Sequence, residues 1–161
     1  MVYVRSYKAG RRLQEQLYKA RFDVPFYKAV IDNKLEIFKA WAKGSRGWII
    51  TTSTLGTRLD IARVTYIIYL NRLYRITNFV QQSSRGGRGG IIGHSVVVVN
   101  LEAISSEERF KVLLRDSVDA IKEEALTMFL KTTRCRREAI TAYIDKLNNR
   151  EITSYENINR V

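Results

Sequence analysis

Three short runs of apolar, β-branched and aromatic residues constrain the fold of this chain more than any other feature. They lie at Trp48 to Thr52, Val64 to Leu70 and Ser95 to Asn100. Such continuous runs are typical of strands that are buried on both faces of a sheet. Further extended segments are predicted at Val2 to Val4 and Phe22 to Ala29, and helices at Lys8 to Ala20, Asp32 to Gly44 and Thr77 to Gln82. Because strands that alternate with helices imply right-handed crossovers, we predict an α/β lobe of three layers, with a parallel sheet between helices.

Two details of this pattern can be checked directly against a structure. Asp32 is the predicted N-cap of the second helix, and Thr77 that of the third. The second helix is expected to turn four residues inward, namely Leu35, Phe38, Trp41 and Ala42. His94 is expected in a loop, as a surface polar residue first and as a phosphate or base contact second.

Beyond Asn100 the pattern changes to that of long helices. Ser105 and Glu108 fit a capping box, and an inward face is predicted at Phe110, Leu113, Leu114, Ser117, Ile121, Leu126 and Phe129. A second helix is predicted from Thr132 or Thr133, with Cys135, Ala139, Ile140, Tyr143, Ile144 and Leu147 on its inner face. We therefore divide the chain into a sheet-bearing lobe, residues 1–101, and a short helical extension, residues 102–161.

Positive charge is concentrated in the first of these parts. The formal net charge is +12, and residues 1–100 carry 17 Lys and Arg against 5 Asp and Glu, which accounts for all of it. Between Arg46 and Arg88 there are seven arginines, no lysine, and Asp60 as the single acid. Arginine in excess over lysine favours recognition of phosphate, in a nucleic acid or a polyphosphate, over simple solvation. A basic protein with an arginine-rich face and no ligand is the alternative reading.

The segment from Gln81 to Gly90 places Arg85 and Arg88 three residues apart among glycines. The guanidinium group is a planar fork of donors that stays charged, so two of them on one segment can grip a polyphosphate. Glycines leave the backbone bare, which lets a bulky anion approach closely. A solvated basic turn is the alternative.

The same segment resembles the sixth motif of superfamily 2 helicases, in the form found in RecQ-type DNA helicases. Gly47 to Ile61 is similar to the fifth motif, and Val2 to Leu17 to the segment that opens the second helicase lobe. Cys135-Arg136-Arg137, followed by Ile140, Tyr143 and Asp145, resembles the start of the RecQ zinc-binding region. These segments stand in the family's order and cover nearly the whole chain. The resemblance implies the second RecA-like lobe of a fungal-type RecQ helicase, truncated after its first appended helices.

This resemblance implies roles for the residues of the sixth motif. In the family, ATP with Mg²⁺ binds in a cleft between two lobes, and the second lobe supplies arginines that neutralise charge developing on the γ-phosphate. By resemblance Arg88 is the arginine finger, Arg85 lies on the phosphate or on contacts between the lobes, and Gln81 links the nucleotide state to the interface. Nothing here resembles the phosphate-binding lysine loop of a first lobe. We therefore expect a first lobe in cis or in trans, and no ATP turnover by this chain alone.

The fifth motif implies contacts to the backbone of single-stranded or partly duplex DNA. Its candidate residues are Thr51, Thr52, Ser53, Gly56 and Arg58, with Asp60 orienting the turn. Arg58 stands where the family has glycine, and it either obstructs the nucleic acid or adds a cation. Alternatively, the hydroxyl groups only cap the end of a strand. The Thr51 turn and the Gln81 to Gly90 segment are both expected beyond the carboxyl ends of the strands, where such sheets bind ligands.

Several classes of site and location are excluded or disfavoured. The RecQ zinc module needs four cysteines, and only Cys135 is present, so we expect no zinc, no other metal site, and a buried Cys135. One cysteine also excludes an internal disulfide and suggests a reducing compartment. No apolar run reaches the ~18 residues of a membrane span. We expect an intracellular protein, located in the nucleus and acting in DNA repair or recombination, with no membrane partner.

Taken together, the sequence predicts the C-terminal lobe of an ATP-dependent 3′ to 5′ DNA helicase of RecQ type. A non-catalytic nucleic-acid-binding module and a decayed helicase relic are the alternatives. One further departure bears on them. Ser84 replaces the family's glycine before Arg85, and a positive φ angle at that position would strain the loop.

Overall fold

The computed structural model describes residues 1–28, 33–44, 47–52, 64–71, 73, 75–100 and 118–145. The chain divides into two compact units, Met1–Ile104 and Ser105–Val161. The described part of the first unit contains five strands: β1 (Val2–Tyr3), β2 (Phe26–Tyr27), β3 (Ile50–Thr51), β4 (Tyr66–Leu70) and β5 (His94–Val98). Their order in the sheet is β2-β3-β1-β4-β5, and every pair is parallel. The predicted α/β fold with a parallel sheet is therefore confirmed.

One face of the sheet packs against helix α1 (Tyr7–Lys19). The helix begins after Ser6, whose Oγ accepts a hydrogen bond from the Ala9 amide at 3.1 Å, as an N-cap residue does. A buried cluster lies on this face, formed by Val2, Val4, Val24, Phe26 and Ile50, with Ala9, Leu13, Leu17, Ile68 and Leu70 packed around it. Burying each large apolar side chain stabilises the fold by roughly 1.5–3 kcal/mol, so this cluster anchors α1 to the sheet.

The opposite face packs against helix α3 (Ile76–Ser83), and helix α2 (Lys34–Ala42) precedes β3. Because side chains alternate along a strand, Tyr3 and its register partner Tyr69 project from this second face. Their rings stack with centroids 5.3 Å apart, and Tyr69 contacts Phe79 of α3 at 5.1 Å. The Tyr69 hydroxyl also shares a hydrogen bond of 3.0 Å with the Ser83 hydroxyl. Aromatic contacts thus fix α3 across β1 and β4.

Three expectations about the first unit were wrong. Helix α2 begins after Asn33, whose side chain makes no cap hydrogen bond, while Asp32 lies outside the described residues. On α2, Trp41 is buried as predicted, but Leu35 and Ala42 are exposed, because the helix turns only a narrow stripe inward. Helix α3 begins after Arg75, so Thr77 lies within its first turn.

Strand β5 was expected to be buried and is largely exposed. Among the described strands it pairs only with β4, at one end of the sheet. Val96 and Val98 are 41% and 50% exposed. An apolar run has the same composition in a central strand and in an edge strand, so the sequence pattern alone did not distinguish the two positions.

The described part of the second unit contains helix α4 (Val118–Lys131) and helix α5, residues 136–145. Leu126 and Phe129 of α4 are buried as predicted, and so are Ala139 and Tyr143 of α5. Cys135, expected to be buried, is exposed because it precedes α5 rather than lying on its inner face. The predicted capping box and inward face over residues 105–117 lie outside the described residues. None of the helices that the structure describes is both long enough and apolar enough to span a membrane.

Candidate phosphate-binding site

The glycine loop, residues 84–93, lies at the amino end of β4. The Gly87 amide donates to the Val64 carbonyl at 3.0 Å, and the His94 amide donates to the Thr65 carbonyl at 2.7 Å. The expectation that this loop shares the carboxyl edge of the sheet with the Thr51 turn was therefore wrong. The reason is topological: β4 ends at the carboxyl edge, α3 runs back across the sheet, and a loop between a helix and the next parallel strand must lie at the amino edge.

Close approach of two glycines shapes this loop. A β-carbon on Gly93 would lie 2.5 Å from the Gly87 nitrogen and 2.6 Å from the Gly86 carbonyl carbon. Gly87 itself has a φ of +76°, and Gly89 and Gly90 have φ angles of +78° and +82° with open space around them. The loop therefore folds back on itself at Gly87 and Gly93, and it presents bare backbone at its tip, as the sequence suggested.

Ser84 fits the loop without strain. Its φ and ψ are −64° and −4°, which is right-handed helical geometry, and its hydroxyl donates to the Gln81 carbonyl at 2.9 Å. The departure from the family's glycine is therefore accommodated, because this position extends the last turn of α3 rather than requiring a positive φ.

Arg85 and Arg88 have different surroundings. Arg85 is only 9% exposed, and its positive charge lies close to the Tyr3 hydroxyl, where it opposes the effect of burial on that group. Burial of the phenol raises the pKa of Tyr3 to about 12, because the charged form loses its hydration. Arg88 is half-buried, and its Nε donates to the Ser84 carbonyl at 3.3 Å. Of the two arginines, Arg88 is the more exposed, and it directly precedes Gly89 and Gly90 at the tip of the loop.

The other predicted site residues are placed as follows. Gln81 is exposed on the last turn of α3. Thr51 ends β3, is fully buried, and donates its hydroxyl hydrogen to the Thr52 carbonyl at 2.9 Å. This arrangement favours the alternative in which the Thr51 hydroxyl satisfies the strand end. Four candidates lie outside the described residues: Ser53, Gly56, Arg58 and Asp60.

His94 is the first residue of β5 rather than a loop residue. Its ring stacks on that of Tyr66, its partner on β4, with centroids 4.9 Å apart. Among the described residues, no group of three or more His, Cys, Asp or Glu side chains is arranged to hold a metal ion.

A cavity with a mainly apolar lining lies at the carboxyl ends of β1 and β4. Its lining includes Tyr3, Arg5, Asn71, Arg75, Asn78 and Gln82. Sequence reasoning did not single out Arg75. The signal that pointed here was the run of seven arginines between Arg46 and Arg88, of which Arg75 is one.

No protein-family model matches the chain, and no curated protein matches it. Solved structures do. The E. coli DEAD-box protein SrmB, bound to the regulator of ribonuclease activity A, superposes with a TM-score of 0.57 at 17% identity, over 68% of this chain and 67% of that one.

The fold is that of a RecA-like lobe. The S. cerevisiae protein Dbp5, in a structure bound to RNA and ADP BeF3, gives a TM-score of 0.57 at 17% identity, over 78% of this chain and 36% of that one. The separate C-terminal domain of the DEAD-box protein Dbp5 gives 0.52 at 17% identity, over 78% and 79%. This chain thus spans about a third of the longer Dbp5 structure and most of its C-terminal domain. At this identity the likeness establishes the RecA-like fold alone.

Proposed function

We propose that this chain is the C-terminal lobe of an ATP-dependent helicase of the RecQ type, which binds nucleic acid and acts on ATP bound by another lobe. Three observations support the proposal. The fold is a RecA-like lobe like the C-terminal domain of Dbp5. The chain carries a segment resembling the sixth helicase motif, and the net charge of +12 comes from residues 1–100. The glycine loop, with Arg88 beside its bare tip, is the single observation that carries the proposal.

In this account Arg88 is the arginine finger. Its guanidinium group binds the γ-phosphate and neutralises charge that develops there during hydrolysis. Gly89 and Gly90, which have nothing within 4 Å of their missing β-carbons, let the phosphate chain approach the backbone. ATP with Mg²⁺, held mainly by the other lobe, would supply the phosphoryl group and a cation that stabilises its negative charge. Gln81, at the end of α3, senses the nucleotide across the lobe interface.

Arg85 takes a different part from the one expected. Because Arg85 is buried beside Tyr3, we assign it the role of holding the glycine loop against the sheet. This role would keep the backbone of Arg88 in a fixed position. Thr52 and the candidates from Ser53 to Asp60 stay proposed contacts to the backbone of single-stranded DNA. Action on DNA rather than RNA, 3′ to 5′ polarity and a nuclear location are parts of the same proposal.

The test is a chimera in which this chain replaces the second lobe of a RecQ-type helicase. The chimera should hydrolyse ATP faster than the isolated first lobe, and single-stranded DNA should stimulate it more than RNA of the same length. Stimulation by RNA alone would reject the assignment to DNA. A rate equal to that of the first lobe alone would reject the helicase proposal itself.

A non-catalytic nucleic-acid-binding module is a second candidate, favoured by the concentration of charge in residues 1–100. It predicts that the chain alone binds single-stranded oligonucleotides, with log K falling against log salt by ~0.7 for each phosphate contact. It also predicts no ATP hydrolysis in the chimera. Salt-independent binding, or no binding at low salt, would exclude it, and non-cooperative unfolding of the purified chain would favour the decayed relic.

A further inference from the structure

Tyr66 and His94 form an exposed aromatic pair at the amino ends of β4 and β5. They are register partners, and their rings stack with centroids 4.9 Å apart and an angle of 18° between the planes. Tyr66 is 47% exposed, and His94 is exposed as well. Stacked aromatic rings in a protein core are covered on every side, whereas this pair faces solvent. It therefore offers a surface onto which a further planar ring can stack.

The stack is open on the side of His94. Tyr66 lies on β4, between β1 and β5, whereas β5 is an edge strand among the strands that the structure describes. Side chains stand roughly perpendicular to a sheet, and the separation of the two rings is close to the spacing of neighbouring strands, about 4.8 Å. The two rings therefore form a row that runs across the strands. A third ring placed on the outer face of His94 would extend this row beyond the edge of the sheet.

The glycine loop lies at the same edge of the sheet as this aromatic pair. The Gly87 amide donates to the Val64 carbonyl, and the His94 amide donates to the Thr65 carbonyl. The loop and the histidine are thus anchored to consecutive residues of the segment that leads into β4. The tip of the loop, between these two anchors, has open space around its backbone. A surface for ring stacking and backbone donors for phosphate therefore occur together on one short segment, residues 87–94.

The charge of the surrounding sequence favours an anionic ligand. No aspartate or glutamate occurs between Asp60 and Glu102, and the same stretch contains five arginines and no lysine. One of them is Arg88, next to the tip of the loop. A planar ring that carries phosphate is the ligand class that fits both the aromatic pair and this charge. Aromatic pairs across two strands also stabilise a sheet by themselves, so a test has to separate binding from stability.

We propose that Tyr66 and His94 bind a nucleobase by stacking, while the glycine loop binds phosphate of the same ligand. The inference rests on the proposed function and extends it by naming the residues that contact the base. The base belongs either to a single-stranded nucleic acid or to the nucleotide whose phosphate Arg88 contacts. Because every base has a π-face, stacking of this kind binds different bases without reading their sequence.

The test compares ligands with and without bases on the purified chain. Fluorescence anisotropy gives the Kd of a fluorescein-labelled oligothymidylate and of a labelled abasic oligonucleotide of the same length and charge. ATP and tripolyphosphate, which lacks the nucleoside, form a second pair and are measured as competitors of the abasic probe. One stacked base contributes about fivefold or more in affinity. The parent chain should therefore prefer the base-bearing member of at least one pair by about that factor.

Three variants identify the residues responsible. His94→Leu removes the ring and keeps an apolar side chain, whereas His94→Phe keeps an aromatic ring at the same position. The matched control is Tyr18→Ala, which removes a tyrosine that is 71% exposed on α1 and lies outside the stacked pair. His94→Leu should bring the ratio of the two Kd values close to one, while His94→Phe and Tyr18→Ala should keep the ratio of the parent chain.

The ratio of Kd values separates stacking from a structural role of the pair. Partial unfolding of a variant weakens the binding of both members of a pair by the same factor, so it leaves their ratio unchanged. Loss of the preference for oligothymidylate in His94→Leu identifies a base of a nucleic acid, and loss of the preference for ATP identifies adenine.

Two results would overturn the stacking proposal alone. They are equal binding of both members of each pair by the parent chain, and a preference that survives in His94→Leu. In either case the phosphate contacts of the proposed function would still stand. Binding of none of the four ligands would contradict both proposals, whereas failure of the helicase chimera to hydrolyse ATP leaves the ratios unaffected.

Discussion

Three glycines in the loop that carries Arg88 allow the cost of backbone strain to be separated from the cost of steric overlap. Gly89 has a φ of +78° and open space around it, so Gly89→Ala introduces strain alone. Gly93 has no positive φ, but a methyl group there would lie 2.5 Å from the Gly87 nitrogen, so Gly93→Ala introduces overlap alone. Gly87 combines a φ of +76° with a methyl position 2.9 Å from the Ile91 carbonyl oxygen.

The expected magnitudes follow from these geometries. A left-handed conformation costs an alanine ~1–2 kcal/mol. Overpacking costs ~1–3 kcal/mol, and we expect the upper end at Gly93, because the groups in the way are backbone atoms that cannot rotate aside. Gly89→Ala should therefore lower the free energy of unfolding by about 1 kcal/mol, Gly93→Ala by about 3 kcal/mol, and Gly87→Ala by at least as much as Gly93→Ala.

Urea unfolding followed by tryptophan fluorescence measures these differences in the free energy of unfolding for the unit that contains the loop. Both tryptophans, Trp41 and Trp48, lie in the unit Met1–Ile104 together with the loop. A shift of the transition midpoint at constant slope reports a change in stability rather than in the unfolded state. If Gly93→Ala is no more destabilising than Gly89→Ala, the loop does not close through Gly87 and Gly93, and the account of how Arg88 is positioned is wrong.

Three further predictions concern packing, pH and reactivity. Gly10→Ala should destabilise the chain by about 2 kcal/mol, because the added methyl group would overlap the Phe26 ring. This cost should exceed the gain in helix propensity of ~1 kcal/mol. A variant that is more stable than the parent in urea unfolding would contradict this packing. Burial raises the pKa of Tyr3 from 10.0 to about 12. The contribution of this residue to the free energy of unfolding should therefore be complete below pH 10 and fall by up to ~3 kcal/mol as the pH rises towards 12. The Tyr3→Phe variant should not show this part of the decline. Exposed Cys135 should react with a thiol reagent as fast in the native chain as in urea; protection until unfolding would show it to be buried.

The alternation of elements made the fold predictable from sequence, whereas their positions in the sheet were not. Leu13 and Leu17, at helical spacing, identified α1, and the β-branched run from Val64 to Leu70 identified β4. The hydrophobic pattern of a segment indicates whether it is a helix or a strand, but it does not indicate whether a strand lies in the middle or at the edge of the sheet. For this reason the exposure of Val96 and Val98 on the edge strand β5 could not be predicted.

The candidate site was likewise only partly predictable from the sequence. The sequence located the loop of Arg85 and Arg88 because its residues are contiguous. It did not predict that Arg85 turns inward towards Tyr3, because the two residues are 82 positions apart and meet only when α3 packs on β1. The cavity between Arg5 and Arg75 was missed for the same reason: topology alone brings residues from two distant segments together.

The central claim is that Arg88 acts on a triphosphate held by another lobe, and its most direct test is the turnover of the helicase chimera with Arg88→Ala. Loss of an arginine finger should lower kcat for ATP hydrolysis by about 10³-fold or more, while the Kd for single-stranded DNA stays unchanged. Arg88→Lys should recover little of the rate, because an ammonium group lacks the planar fork. An Arg88→Ala chimera that hydrolyses ATP at the parent rate would contradict the account.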